Sequence, residues 1–280
     1  MKAHFQYCFI GAGSMAEAII AGLIQKGKAT PAEIAVINRQ NNDRLKDLSR
    51  RYGVDYPLDK AEAVRRARTL ILAVKPKDMD FALQQWGEII RMDQRVISVA
   101  AGISTAWIEQ RLGAKAAVIR AMPNTSSMIG CSATALCPGQ YAVEKDLEEA
   151  KQTFDAIGYT VRVTEQDMDA VTGLSGSGPA YIYYVVEALE QAGISAGLSQ
   201  PIARQLTLQT LVGAAHMLLE TEEEPAELRR RISSPGGTTM AGLETLDSHQ
   251  FHQTLVRAVH RATERSRELG EAWSDSTVRS

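Results

Sequence analysis

The chain has 280 residues, 45% of them hydrophobic and 23% charged, with a formal net charge of −2; this is the profile of a soluble globular protein with room for two cores. Near-neutrality excludes a broad basic surface for nucleic acid or anionic lipid, so phosphate-binding groups should be few and local. No apolar run is long enough to cross a bilayer and no leader pattern opens the chain, which points to a cytoplasmic protein. Cys8, Cys131 and Cys137 lack metal-ligand spacing and read as small hydrophobes in a reducing compartment; no metal is expected.

Phe5 to Ile10 is a compact apolar run that ends in Gly11-Ala12-Gly13-Ser14-Met15-Ala16, and helical spacing follows through Ala18, Ile19, Leu23 and Ile24 to Gly27. Strand, glycine-rich turn and helix form the context in which a dinucleotide fingerprint has meaning. Gly11 makes the tight turn, Gly13 lets backbone approach a pyrophosphate, and the small Ala16 lets the helix pack on the strand. Thr30-Pro31-Ala32-Glu33, of capping-box form, introduces a second strand at Ile34–Ile37. Asn38 and Arg39 stand at its carboxyl end, where an NAD site ordinarily carries an acid for the ribose 2′-hydroxyl. A neutral residue followed by arginine favours a 2′-phosphate, hence NADPH ahead of NADH.

The alternation continues with a helix over Asn42–Tyr52, a short strand near Gly53–Tyr56, a helix over Asp59–Arg66 and a fully apolar strand at Thr69–Val74. Phe81–Ile90 reads as helix, Val96–Ala100 as strand, and Ala101-Gly102-Ile103-Ser104 as a turn into a helix around Trp107 and Leu112. Ala116–Ala121 is a strand ending in Met122-Pro123-Asn124-Thr125. Two last strands, Ser132–Cys137 and Tyr159–Val163, flank a helix over Glu144–Ile157. Ligands of an open α/β sheet bind outside the carboxyl ends of its strands. Those ends carry Gly11–Ala16, Asn38–Arg39, Ala73-Val74-Lys75-Pro76, Ala100-Ala101-Gly102 and Asn124, which together form one rim.

Beyond residue 163 the strand pattern stops. Helices are expected over Asp167–Leu174, Pro179–Ala192, Ser199–Leu219, Glu222–Arg231 and His249–Leu269, the third with a Ser199 cap and an apolar surface on more than one side. The division is therefore a dinucleotide-binding domain over residues 1–163 and a helical domain over 164–280. His216 and the tyrosines Tyr181 and Tyr183 are read as packing residues. Within the helical half, Ile232 to Leu243 contains Ser234-Pro235-Gly236-Gly237-Thr238-Thr239, a tight turn feeding the first turn of a helix. The unpaired N–H groups at a helix start, with glycines that leave them accessible, suit a small carboxylate.

Taken together, Gly11–Ala16, Ala73–Pro76, Arg120–Thr125, Ser175-Gly176-Ser177-Gly178-Pro179-Ala180-Tyr181 and the Ser234–Leu243 stretch resemble the pyrroline-5-carboxylate reductase family over essentially the whole chain. The resemblance implies a Rossmann-type domain with a mostly parallel sheet, then an all-helical dimerisation domain. It also implies NADPH-dependent reduction of 1-pyrroline-5-carboxylate to L-proline, the last step of proline biosynthesis. The implied partners are a cyclic imine carboxylate and a second copy of the chain, as a homodimer or a higher assembly such as a pentamer of dimers. Thr239 would lie beside the ring nitrogen, and the backbone at Gly237 and Thr238 would hold the carboxylate, with Ser234 and Gly236 of the same turn also at the substrate. Glu165 and Glu222 match the positions of further substrate neighbours. Two residues depart from the pattern: Lys60 stands where asparagine near the adenosine is usual, and Ser126 replaces a common proline.

Reducing a C=N bond needs hydride at carbon and a proton at nitrogen, and a protonated imine brings its own proton. The protein must supply position, an anion hole and a hydrogen bond rather than a strong acid. The scattered His4, His216, His249, His252 and His260 agree with that, and Lys75 on the rim is the rival proton donor. Two other readings stay open on the residues alone: a related two-domain reductase of another cyclic imine or a hydroxy acid, and a non-catalytic NADP-binding homologue. A hydroxy-acid dehydrogenase commonly places a lysine in its second domain, and here no lysine follows Lys151.

Overall fold

The computed structural model describes residues 5–275; residues 1–4, including His4, and 276–280, the outer ends of the two sequence-derived domains, lie outside it. In chain order the first elements are β1 (Phe5–Ile10), α1 (Ser14–Gln25), β2 (Ile34–Ile37), α2 (Asn42–Tyr52), α3 (Lys60–Arg66), β3 (Ala67–Leu72), α4 (Met79–Trp86), β4 (Arg95–Ser98), α5 (Thr105–Glu109) and β5 (Ala117–Met122). Then come β6 (Ser132–Pro138), α6 (Glu144–Phe154), β7 (Gly158–Arg162) and α7 (Met168–Val171). The strands form one sheet in the order β2-β1-β3-β4-β5-β6-β7. Neighbours are parallel except β5 and β6, which run antiparallel. A parallel return needs a crossover of a dozen or more residues. The short link between Met122 and Ser132 holds only a 3-10 turn (Thr125–Ile129), so the chain doubles back.

Continuous apolar strands divide between two faces because successive side chains alternate. The row Phe9, Ile71, Ile97, Ile119 packs with Ile19, Ile20, Leu23 and Phe154 on one face. The adjoining row Cys8, Leu70, Val96, Val118 packs with Val64, Met79, Leu83 and Trp107 on the other. At Gly22 of α1 a Cβ would sit 2.5 Å from the Ile157 side chain, so the helix lies against the chain after α6 only because that residue is glycine.

Several local expectations are corrected. The strand near Gly53–Tyr56 is a single bridge, Asp55 to Ala35; Gly53, at φ 73°, ends α2 in the left-handed conformation and leaves too little extended chain before Pro57. The capping box at Thr30, by contrast, forms as its residues suggest, with the Glu33 carboxylate accepting from the N–H and the hydroxyl of Thr30 at 2.8 Å. Ser199 caps by position without a side-chain hydrogen bond. Cys8 and Cys137 are buried but Cys131 is exposed.

The chain forms two spatial units. One runs to Ser177 and resumes at Arg261; the other is Gly178–His260. This division differs from the change of secondary-structure class at residue 163. The turns after β7 pack on the sheet, where Met168 is fully buried beside Ala135 and Cys137. The end of α12 (Phe251–Asp275) joins them through Ser266, whose hydroxyl donates to Asp169 at 2.7 Å. The second unit contains α8 (Gly178–Ser195), α9 (Gln200–Thr221), α10 (Pro225–Arg231), α11 (Thr238–Ser248) and the start of α12. Gly193 of α8 meets Ala203 of α9 closely, and Arg204 pairs with Glu190. Little else there is buried: Tyr184 is 75% and Leu219 77% exposed, and His216 and Tyr183, expected to pack, are exposed within the single chain. Among the described residues, the apolar side chains Ile202, Leu206, Val212 and Leu219 of α9 are exposed.

Candidate active site

At the carboxyl ends of the strands a cleft of about 1020 Å³ is lined by Gly11, Gly13 and Ser14, by Asn38 and Arg39, by Lys60, and by Ala73, Val74 and Lys75. Folding brings these sequence-predicted residues to one place. It does not bring all of them there. Ala16 is fully buried against the core, Met15 packs beside it, and Pro76 opens a 3-10 turn capped by Lys75. Ala100 is buried and Gly102 lines a smaller cavity with Ser104, Trp107, Arg120 and Glu165, while Ala101 lies between them in sequence. Asn124 is engaged within the protein: its Oδ1 accepts from the Ser126 N–H and its Nδ2 donates to the Ser175 carbonyl, both at 3.1 Å.

The two glycines of the turn do different jobs. Gly11 has φ +111°, and a Cβ there would lie 2.5 Å from the Ala73 carbonyl oxygen. Gly13 has an ordinary φ of −76° and open space where its Cβ would be. Gly13 is also the N-cap of α1 and provides no side-chain cap. The first-turn N–H groups thus face the cleft across an unfilled space of the kind that admits phosphate oxygens. Around it stand five basic residues, Arg39, Arg44, Lys60, Lys75 and Lys77, against two acids, Glu17 and Asp78. A chain of net charge −2 has concentrated positive charge at one cleft. These residues fit a dinucleotide carrying several phosphates.

Sequence reasoning missed Arg44, Glu17 and Phe81. Arg44 donates from Nε to the Ala12 carbonyl at 3.0 Å, which ties α2 to the glycine turn. Its Nη2 is bonded to Glu17, whose side chain is 8% exposed and also meets Arg51 at 2.5 Å and the Tyr52 hydroxyl at 2.9 Å. Burial by itself raises the Glu17 carboxyl. The bonds from Arg44 and Tyr52 and the charges of Arg44 and Arg51 outweigh it and hold the group below its ordinary value. The acid beside the phosphate turn is thereby neutralised. The available signal was the spacing of Arg44 and Arg51, two turns apart on one face of α2. At the far corner, the Arg39 guanidinium lies 4.0 Å from the Phe81 ring centroid, and Lys60 Nζ donates to the Asn38 carbonyl at 2.7 Å.

Glu165 sits in a network of its own. One oxygen accepts from the N–H and hydroxyl of Thr105 at 3.0 and 2.8 Å, capping α5, and the other accepts from Arg120 at 2.5 Å. Arg120 is 5% exposed at its side chain, with Nε and Nη2 unpartnered. Burial, reinforced by the Glu165 charge, pushes the neighbouring Cys137 thiol up to about 12, so it stays protonated.

In the second unit, the Ser-Pro-Gly-Gly turn behaves as its residues dictate. Gly236 is left-handed at φ +71°, and Gly237 is the N-cap of the eleven-residue helix α11, again without a side-chain cap. The Gly237 N–H donates to the Ser234 carbonyl at 2.9 Å, and Thr238 and Thr239 form the first turn. Glu222 ends α9 in the left-handed conformation at φ 54° and is exposed. Among the described residues, no group of His, Cys, Asp and Glu is arranged to hold a metal, and no helix is long and apolar enough to cross a membrane.

Comparison with known proteins agrees with this architecture. Residues 165–269 match the pyrroline-5-carboxylate reductase dimerisation family, and residues 6–102 match the family described as NADP oxidoreductase, coenzyme F420-dependent. The chain is 44% identical over 263 residues to pyrroline-5-carboxylate reductase 1 of Bacillus subtilis, covering 94% of this chain and 89% of that protein. A pyrroline-5-carboxylate reductase structure from Coxiella burnetii superposes with a TM-score of 0.87 at 35% identity, covering 95% of this chain and 99% of the other. The Plasmodium falciparum pyrroline carboxylate reductase, solved with NADP bound, gives 0.84 at 27% identity, over 95% and 98%. The chain belongs to the pyrroline-5-carboxylate reductase family.

Proposed function

We propose that this protein reduces 1-pyrroline-5-carboxylate to L-proline with NADPH. The observation that carries the reading is the occurrence of two glycine-led, uncapped helix starts, Gly13 on α1 and Gly237 on α11, in a chain of this family. Each offers bare N–H groups and the positive end of a helix dipole to an anion. The first suits the cofactor pyrophosphate, flanked by Ser14, Met15 and Ala16. The second, with Ser234, Gly236 and Thr238, suits the substrate carboxylate.

When bound, the nicotinamide supplies hydride to the imine carbon. The chain's own residues orient and hold. The backbone at Gly237 and Thr238 fixes the carboxylate, the Gly237 N–H closing the turn on the Ser234 carbonyl while the Thr238 N–H donates to the substrate, and the Thr239 hydroxyl hydrogen-bonds the ring nitrogen, which already carries the proton. No acid of perturbed pKa is required. Lys75-Pro76 shapes the rim at the end of β3, with Ala73, Val74, Ala100, Ala101, Gly102 and Asn124 contributing the rest of the cofactor wall. Arg39 and Lys60 receive the 2′-phosphate, which sets NADPH ahead of NADH. Glu222 is retained as a substrate neighbour; the bonds made by Glu165 favour a supporting role for that residue.

The region from residue 164 onward carries dimerisation, and the exposed apolar faces of α8 and α9 support a homodimer as the minimal assembly, with larger rings such as a pentamer of dimers built from it. Three unpaired thiols fit a reducing, cytoplasmic compartment. The test is the loss of NADPH absorbance with pyrroline-5-carboxylate, beside a hydroxy-acid oxidation assay with NADP and an assay without substrate. Turnover with the imine and none with the hydroxy acid is expected. NADPH binding without turnover of the imine would leave a non-catalytic binding protein.

A further inference from the structure

We propose that Phe81 is a positioning residue for cofactor choice. Its ring holds the Arg39 guanidinium by the face, so that the N–H edge stays free for a 2′-phosphate. The inference rests on the reading of the cleft as an NADPH site.

Arg39 follows the end of β2 and is exposed, and a long exposed arginine ordinarily spends its donors on a carboxylate or wanders among rotamers. Among the described residues no salt bridge involves Arg39. Its contacts there include a 2.7 Å bond from its backbone N–H to Asn38 Oδ1 and a cation–π contact in which the guanidinium carbon lies over the Phe81 ring, 4.0 Å from the centroid. The contrast with Arg44, the other arginine lining the cleft, is informative. Arg44 gives Nε to the Ala12 carbonyl, Nη1 to Asp47 and Nη2 to Glu17. Its charge is consumed by the scaffold, whereas that of Arg39 is not.

A guanidinium carries its five donors in its plane. An aromatic face attracts the cation from above without touching those donors and restricts the side chain before any ligand arrives. Phe81 is 40% exposed on α4, a helix whose other large apolar residues, Met79, Leu83 and Trp86, are buried. An aromatic that open contributes little to the core, and both it and Arg39 line the cleft. Lys60 anchors the same corner through the Asn38 carbonyl and keeps two donors in reserve.

The test is direct binding, read by fluorescence titration of the full chain with NADPH and with NADH, in Phe81→Leu, Phe81→Tyr, Arg39→Ala and the Phe81→Leu/Arg39→Ala double variant. Phe81→Leu should weaken NADPH about two- to fivefold and leave NADH unchanged. Phe81→Tyr, which keeps the ring face, should match the parent. In the Arg39→Ala background, Phe81→Leu should change nothing further. Equal weakening for both cofactors, or a full effect without Arg39, would overturn the proposal by showing that the ring serves a shared part of the cofactor or the fold. Should Arg39→Ala leave the NADPH-to-NADH ratio unaltered, the 2′-phosphate assignment falls and this inference with it. If only Phe81→Leu is silent, that assignment stands and the positioning role alone is lost. Should Phe81→Leu fail to fold, Arg39→Lys reads the same contact from the other partner. It keeps the charge but loses the guanidinium over the ring, so it should lose part of the NADPH preference; an undiminished preference overturns the proposal.

Discussion

Glu165 offers a sharp separation between a substrate contact and a structural brace, and the variant Glu165→Ala decides it. Removing the carboxylate takes away the ion-pair partner that Arg120 has among the described residues, where this side chain is 5% exposed and its Nε and Nη2 already lack partners. It also removes the acceptor for the Thr105 N–H and hydroxyl at the start of α5. Breaking a buried pair by deleting one member costs about 3–5 kcal/mol. Glu165 itself is 35% exposed, so water relieves part of the loss, and about 2–3 kcal/mol is the appropriate expectation. For a body of this size that corresponds to a fall in Tm of roughly 4–12 °C. Thermal denaturation should show that fall, while the KM for the imine, measured at a temperature where both proteins are folded, stays near the parent value. Glu165→Gln, which keeps an acceptor for Thr105 but not the charge, should fall between. A Glu165→Ala protein that melts like the parent and shows a tenfold higher KM would refute the brace and return Glu165 to the substrate.

The two glycines of the nucleotide turn should respond in opposite ways. Gly11→Ala forces a residue with a side chain to φ +111° with its Cβ against the Ala73 carbonyl, so it should lose at least about 1–3 kcal/mol of stability; Gly13→Ala should melt within about 1 kcal/mol of the parent but lose NADPH affinity in a titration. Glu17 is held below its ordinary value near 4.5, so its contribution is complete above that pH and drains away as the pH falls through the lower native value. Melting curves at pH 7, 5, 4 and 3 should therefore show Glu17→Gln well below the parent at neutrality and the gap closing in acid. Thr239→Ala should lower kcat/KM for the imine roughly ten- to a hundredfold, the equivalent of one hydrogen bond worth about 1.5–3 kcal/mol, with NADPH binding unaltered. Gly237→Val, crowding a Cβ position already 3.0 Å from the Ser234 carbonyl oxygen, should raise the KM for the imine and spare NADPH affinity in the same titration.

Much of the architecture is readable from local chemistry. Apolar runs of strand length followed by helical spacing yield the β–α alternation, and Gly11-x-Gly13 and Pro235-Gly236-Gly237 mark where helices begin, because turn geometry and periodicity depend on a few neighbouring residues. The rim follows from strand direction alone, and Asn38-Arg39 carries the absence of an acid openly. Periodicity fails where residues do two things at once. Val54 is buried and strand-like, but the left-handed Gly53 and Pro57 leave room for one bridge only. The many apolar positions of α9 look like an interior, although within one chain they lie open.

The partners of the charged groups are a different matter. Glu17 and Arg44 lie 27 positions apart, Glu165 and Thr105 60, and in neither case does any local pattern say that they meet. A carboxylate near a ligand site can bind the ligand, neutralise a cation or cap a helix, and its amino-acid type is the same in all three. Which of these it does depends on which helix the completed sheet sets beside it, and on how much water that packing leaves. Backbone form is thus written in short stretches of residues, while the commitment of each charge, including the open donors of Arg39 over Phe81, arises when distant segments are brought into contact.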